Sequence, residues 1–208
     1  MNHNGGEHKT YKYDELPEAA KPRALEVIRE RFWPDYGWWD CVYDSIENFC
    51  KTLKGDVVIG GSDCGRGGYI MWDSWLYLTD KNIDALEENF GERVAPIVED
   101  MRAVLAIYKL GNHALGVDEP LWMQVANTRR GSEVAASLMD YVDANEGDEN
   151  PLATHIHNML VDIHDSISAL FIDWLRDDYE YLTSDECMLE TADCNGVMFD
   201  EEGVIVDD

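Results

Sequence analysis

The chain has 208 residues, 45% of them hydrophobic and 11% aromatic, and its 43 acids against 16 Lys and Arg give a formal net charge of −27. That hydrophobic share belongs to a globular chain rather than a disordered one, and the length suits one domain with a core of its own. The charge works against binding of free nucleic acid and of an anionic membrane surface.

No apolar run approaches the roughly 18 residues of a membrane span. The opening Met1-Asn2-His3-Asn4-Gly5-Gly6 lacks the basic-then-apolar pattern of a signal peptide, so residues 1–10 read as a flexible leader to a single domain over 11–208. The five cysteines, Cys41, Cys50, Cys64, Cys187 and Cys194, form no Cys-x-x-Cys pair. They read as reduced thiols of a cytoplasmic protein, with no metal site and no cofactor expected.

Over 11–55 the pattern predicts an αα-hairpin. Pro17 and Pro22 fit near a helix start, and Ala20, Ala24, Val27, Ile28 and Arg31 recur at helical spacing up to Phe32. Trp33-Pro34-Asp35-Tyr36-Gly37 breaks that helix. A second runs from about Trp38 to Leu53, buries Trp39, Val42, Tyr43, Ile46, Phe49, Cys50 and Leu53, and is stopped by Gly55. Over 56–131, Val57-Val58-Ile59 and Tyr69–Leu78 read as strands joined by the glycine-rich Gly60–Gly68. A short helix capped by Thr79 or Asp80 follows to Phe90. Another spans about Pro96–Leu110 with Ile97, Met101, Val104, Leu105 and Tyr108 on one side, and Leu121–Ala126 reads as a strand.

Over 132–208, Ser132 is expected to cap a helix to about Asn145. A long helix from Pro151 to about Tyr181 carries the stripe Ile156, Leu160, Ile163, Ile167, Leu170, Trp174. Thr183-x-x-Glu186 reads as a capping box for a last helix to Cys194, and Val197–Val206 as a small hairpin. The expected fold is α+β and helix-rich, a small antiparallel sheet packed against several helices.

Charge is unevenly spread: residues 140–208 hold twenty acids and one base, Arg176. This region is either a solubilising surface or a docking face for a basic site on another protein. In the second reading Asp173, Asp177, Asp178 and Glu180 on the late turns of the long helix are the contacts, with Asp185 and Glu186 extending the track. The glycine loop is the other candidate. Its backbone could approach a phosphorylated small ligand closely, with Ser62, Asp63 and the loop's one base, Arg66, beside Trp38. It matches neither the Walker pattern nor the dinucleotide fingerprint, so a mobile hairpin tip is its plainer reading. Cys64 lies two residues before Arg66 but has no identified base partner. His155, His157 and His164 share the long helix with Asp162 and Asp165, without the i, i+4 histidine pair of a helical metal site. They leave open a hydrolase or nucleotide-processing reading. Trp38-Trp39 and the pair Trp72/Trp75 are either core aromatics or a stacking site.

Three stretches carry a family resemblance. They are Tyr11–Glu18 leading to Asp35-Tyr36-Gly37-Trp38-Trp39-Asp40-Cys41-Val42-Tyr43-Asp44, then Tyr179-Glu180-Tyr181-Leu182-Thr183-Ser184-Asp185-Glu186, and the closing Phe199-Asp200-Glu201-Glu202-Gly203. Together they resemble a widespread family of tailed-bacteriophage proteins, often labelled antitoxins of toxin–antitoxin systems. The first strand of that family usually leads into a Ser-Gly-Phe-x-Ser-Gln-Gly-Asp-Gly type loop; here Gly60–Gly68 keeps the glycines and lacks the Phe and Gln.

The resemblance implies expression in the cytoplasm of an infected bacterium, and its lifestyle suggests a protein that blocks a host defence or nucleic-acid-handling protein. The expected function is non-enzymatic inhibition of a host protein with a basic surface, by mimicry of nucleic-acid charge. The alternatives are a sponge for a phosphorylated defence signal and an enzyme using the helix histidines. A homo-oligomer stays open.

Overall fold

The computed structural model describes residues 9–34, 38–63, 68–115, 120–128, 131–136 and 151–206. In chain order the described elements are α1 (Lys21–Phe32), α2 (Asp40–Thr52), β1 (Val57–Asp63), β2 (Tyr69–Leu78), α3 (Asp80–Phe90), α4 (Ala95–Leu115), β3 (Leu121–Thr128), β4 (Gly131–Ala136), α5 (Pro151–Leu182) and α6 (Asp185–Cys194). The fold is α+β and helix-rich, with one four-stranded antiparallel sheet in the order β1-β2-β3-β4. The chain divides into two compact units, Trp39–Arg176 and Met1–Trp38 with Asp177–Asp208.

In the unit Trp39–Arg176 the sheet is one-sided. Ile70, Trp72, Ser74, Leu76 and Leu78 of β2 are buried and alternate with outward Tyr69, Met71, Asp73, Trp75 and Tyr77, the period-2 signature of a half-covered strand. Leu121, Met123 and Val125 of β3 and Ala136 of β4 extend the buried face. The long helix buries Ile156, Leu160, Ile163, Ile167, Phe171 and Trp174 at spacings of three and four. Leu170 of the expected stripe is only half-buried, and Phe171 takes its place, because each turn of the helix drifts relative to a strict repeat. The rings of Phe49 and Phe171 meet edge to face at 5.2 Å, and those of Phe90 and Trp174 stack at 5.4 Å.

Two expectations are corrected in this unit. The helix expected from Ser132 begins instead as β4, pairing antiparallel with β3 from Thr128↔Gly131 to Met123↔Ala136. Ser132, Glu133, Ala135 and Ala136 suit a helix start locally, but pairing with β3 overrides that preference. Residues 137–145 of that expected helix lie outside the described residues. The stop of α2 is also built differently. Lys54 takes the left-handed conformation (φ 61°), while the Gly55 amide donates to the Cys50 carbonyl at 2.8 Å and the Lys54 amide to Lys51 at 2.9 Å. This is a Schellman ending one residue earlier than glycine placement suggests. Gly55 is needed for another reason: a Cβ there would sit 2.2 Å from the Trp75 carbonyl oxygen.

In the unit of Met1–Trp38 with Asp177–Asp208, α1 buries Ala24 and Ile28 against Leu16, Ala20, Met188, Ala192 and Phe199. The chain ends close this core. Tyr11 and Phe199 exchange two backbone hydrogen bonds of 2.9 Å, and Phe199 also bridges to Ile205. The Asp200 carboxylate accepts from the amides of Glu202 and Val204, both at 2.9 Å, and those backbone donors hold it below the usual carboxylate range. Gly203 (φ 81°) lies so close to α1 that a Cβ would come within 2.5 Å of the Ala20 carbonyl oxygen. The Phe199–Gly203 stretch is therefore a turn shaped to dock on α1. The cap of α6 is Ser184, whose Oγ accepts from the Cys187 amide at 3.2 Å, and not Thr183. Thr183 instead donates to the Tyr179 carbonyl at 2.8 Å within the preceding turn.

Candidate functional site

Residues 177–208 contain twelve acids and no Lys or Arg. Part of that charge is met inside its own unit by bases from the first 31 residues. Arg29 donates to Asp185 through Nε (3.0 Å) and Nη2 (2.5 Å), Lys12 to Asp193 at 2.8 Å, and Arg23 lies 3.6 Å from Glu202. These pairs are exposed and each contributes little to stability, but they place the acidic segment along α1.

The six acids expected to contact a partner are thus not equivalent. Asp185 is held by Arg29, and Asp177 has an interaction of its own. Asp178 is half-buried, and that burial raises its pKa, so its carboxylate is less open to a partner than those of its exposed neighbours. Glu180 and Glu186 are exposed, and α6 adds exposed Glu190 one turn beyond Glu186, a carboxylate the sequence reading missed. Asp173 belongs to the other unit, where Arg176 donates to it at 2.9 Å.

Of the glycine-loop candidates, the structure describes Ser62, Asp63 and Trp38. The Ser62 hydroxyl is shared with that of Tyr43 at 2.7 Å, and Asp63 ends β1 opposite Tyr69. Arg66, with Cys64, lies outside the described residues. Trp38 belongs to the other unit, where its ring meets Tyr179 at 5.2 Å. An open groove of about 370 Å³ in that unit runs past Lys12, Leu189, Val197 and Phe199, but its base, Lys12, is already paired with Asp193.

The helix histidines separate. His164 is fully buried, stacked on Trp72 with ring centroids 5.6 Å apart and planes 15° apart. Ser168 Oγ accepts from Trp72 Nε1 at 3.0 Å and from Asn127 Nδ2 at 3.3 Å. With both lone pairs used, the serine proton is left to point at His164 Nε2, 3.5 Å away, and His164 Nδ1–H then donates to Asp165 at 2.9 Å. Asp, His and Ser stand in the order of a nucleophilic triad. The hydroxyl, however, is buried and already holds two donors, so a substrate cannot reach it. The network ties β2 and β3 to α5. His157 stands apart, with a buried Nδ1 that has no partner among the described residues. No group of three or more His, Cys, Asp or Glu among the described residues could hold a metal ion, and no described helix is long and apolar enough to cross a membrane.

Burial pushes the His164 pKa below its ordinary value, against the smaller opposing pull of Asp165. A depressed imidazole contributes stability that is fully present above the unfolded value of about 6.5 and is lost as pH falls toward the folded one. Urea midpoints between pH 7.5 and 5.0 should therefore drop more steeply in the wild-type chain than in His164→Gln. Parallel profiles would show that His164 does not titrate between folded and unfolded states.

The tryptophans of β2 also part company: Trp72 points into the core and Trp75 outward, where its ring lies 4.9 Å from that of Trp122. No family model, no curated protein and no solved structure matches the chain.

Proposed function

We propose that this chain is a non-enzymatic, phage-encoded inhibitor that acts in the cytoplasm of the infected bacterium, docking its acidic segment on a basic, nucleic-acid-binding surface of a host protein. The observation that carries this reading is the composition of residues 177–208, twelve acids without one Lys or Arg, on a folded scaffold rather than a loose tail. Glu186 and Glu190 stand one helical turn apart, a Cβ separation of about 6 Å. Fixed carboxylates at such spacing offer a basic groove a charge density of the same order as a nucleic-acid strand, without a backbone that nucleases cleave. Fixed charge of one sign steers a complementary partner and speeds its capture more than it deepens affinity.

The test uses the full chain as bait in lysate of a susceptible bacterium, beside a variant carrying Glu180→Gln, Glu186→Gln, Glu190→Gln and Glu201→Gln. The wild-type chain should retain a basic protein that elutes as salt rises from about 0.15 to about 0.5 M, since screening weakens exposed charge pairs over that range. The variant should associate with it about tenfold more slowly or worse. A partner retained equally by both, and indifferent to salt, sinks the charge-mimic reading.

A further inference from the structure

We infer that the outward face of the four-stranded sheet docks an arginine-bearing segment of a protein partner, received on the Trp75–Trp122 pair and between Asp73 and Glu133. This surface lies in the unit Trp39–Arg176 and is distinct from the acidic segment proposed above. Among the described residues nothing buries it: Trp75 is 44% exposed, Tyr69 39% and Val58 70%, and Asp73, Glu133 and Ala135 are exposed as well. Exposed aromatics gathered on one face are uncommon on a surface without a partner.

The strand register lays out what a partner meets. Val58 pairs with Asp73, Asp73 with Ala126, and Ala126 with Glu133, so one row across the sheet reads Val58, Asp73, Ala126, Glu133. The small Ala126 leaves a gap between two carboxylates two strands apart, about 10 Å at ordinary strand spacing. In the next row Trp75 pairs with Gln124, and in the one after Tyr77 pairs with Trp122. Two residues along a strand advance about 7 Å, so Trp75 borders the carboxylate gap on one side, with the Trp122 ring packed beside it.

That combination suits a guanidinium. Its plane stacks on an indole face through the ring's negative quadrupole, its edge donates to carboxylates, and its apolar stem lies along aromatic surface. Among the described residues, none of the four strands contains a Lys or Arg that would fill the gap from within the sheet. Charge decides among occupants. A nucleic-acid strand would stack on the tryptophans but bring phosphates against Asp73 and Glu133. A second copy would bring the same two acids against their own kind, in a chain of net charge −27. A cationic protein segment meets both the rings and the carboxylates.

The blocked peptide acetyl-Gly-Arg-Gly-Arg-Gly-amide is the probe, followed through the indole N–H signals of the full chain by NMR. Saturable shifts are expected at Trp75 and Trp122. Binding should weaken by about tenfold or more in Trp75→Ala, and measurably in Asp73→Asn and in Glu133→Gln, which leaves the strand packing unchanged. Binding at this face should persist in Glu186→Gln/Glu190→Gln, so that failure of this site and failure of the acidic-segment reading are told apart. Shifts confined to residues 177–206, or affinity unchanged in all three sheet variants, would overturn the proposal. So would indole shifts produced by oligo(dT), or shifts that grow with protein concentration alone and vanish in Trp75→Ala, which would give the face to nucleic acid or to a second copy.

Discussion

Gly55→Ala is expected to cost about 3 kcal/mol or more, in the range of severe overpacking. The added Cβ would stand 2.2 Å from the Trp75 carbonyl oxygen and 2.6 Å from Ser74 Oγ. Ser74 is fully buried, and Trp75 belongs to a strand bonded on both sides, so neither neighbour is the loose end of a flexible chain. The amide of Tyr77 also donates to the Leu53 carbonyl at 2.8 Å, stitching the end of α2 to the same strand. Relief must come from shifting α2 away from β2, which opens the packing of Phe49 and Cys50 behind it. Lys54→Gly should act in the opposite direction, stabilising by up to about 1 kcal/mol, because Lys54 holds a left-handed conformation that glycine adopts without strain. Urea midpoints of the two variants should fall on opposite sides of the wild type. A Gly55→Ala midpoint equal to wild type would contradict the close approach. Because the contact falls on the Trp75 carbonyl, Gly55→Ala should also move the Trp75 indole signal on the outer face of the sheet.

That pair of residues shows where the sequence is legible and where it is not. The glycine after α2 was readable as a helix stop, since Schellman endings favour one. Its true constraint is a backbone twenty residues away, and a local pattern carries no trace of it. Stripes within one helix were readable for the converse reason. Ile97, Met101, Val104, Leu105 and Tyr108 are all buried because a single periodic element decides which side they occupy. β4 was missed since Glu133, Ala135 and Ala136 prefer a helix, and only pairing with β3 makes them a strand. The contrast between Trp72 and Trp75 was within reach: in a strand, residues three apart point to opposite faces. The excess of acid was plain in composition, but not that Lys12, Arg23 and Arg29 meet Asp193, Glu202 and Asp185 across more than 150 positions. For that reason, and because Asp178 is half-buried, the proposed contacts fall to Glu180, Glu186 and Glu190 rather than to Asp185 or Asp178. Neither candidate surface depends on a spacing motif: one is a matter of net charge, the other of strand register.

The largest loss is expected from Ile163→Asp. Ile163 is 1% exposed, in the middle of the α5 stripe that runs from Ile156 to Trp174. Substitution gives up about 2 kcal/mol of apolar burial and forces a carboxyl into the core, where an unsatisfied polar group costs several kcal/mol more. The sum is comparable with the whole stability of a small domain, about 5–15 kcal/mol, so the variant should be unfolded or insoluble. Ile163→Val keeps shape and polarity and should cost only about 1 kcal/mol, which separates a core position from one that merely tolerates no change. The acidity around it makes this a sharp comparison. Residues 140–208 carry twenty acids and one base, yet α5 packs because six large apolar side chains outweigh repulsions that are individually small and screened by salt. Moderate salt should accordingly raise the melting temperature of the wild-type chain and of Ile163→Val by similar amounts, while leaving Ile163→Asp unfolded. Circular dichroism and limited proteolysis follow both effects. An Ile163→Asp chain that stays folded, or rapid loss of everything beyond residue 145 from the wild-type chain, would show that α5 is an appendage rather than part of the core.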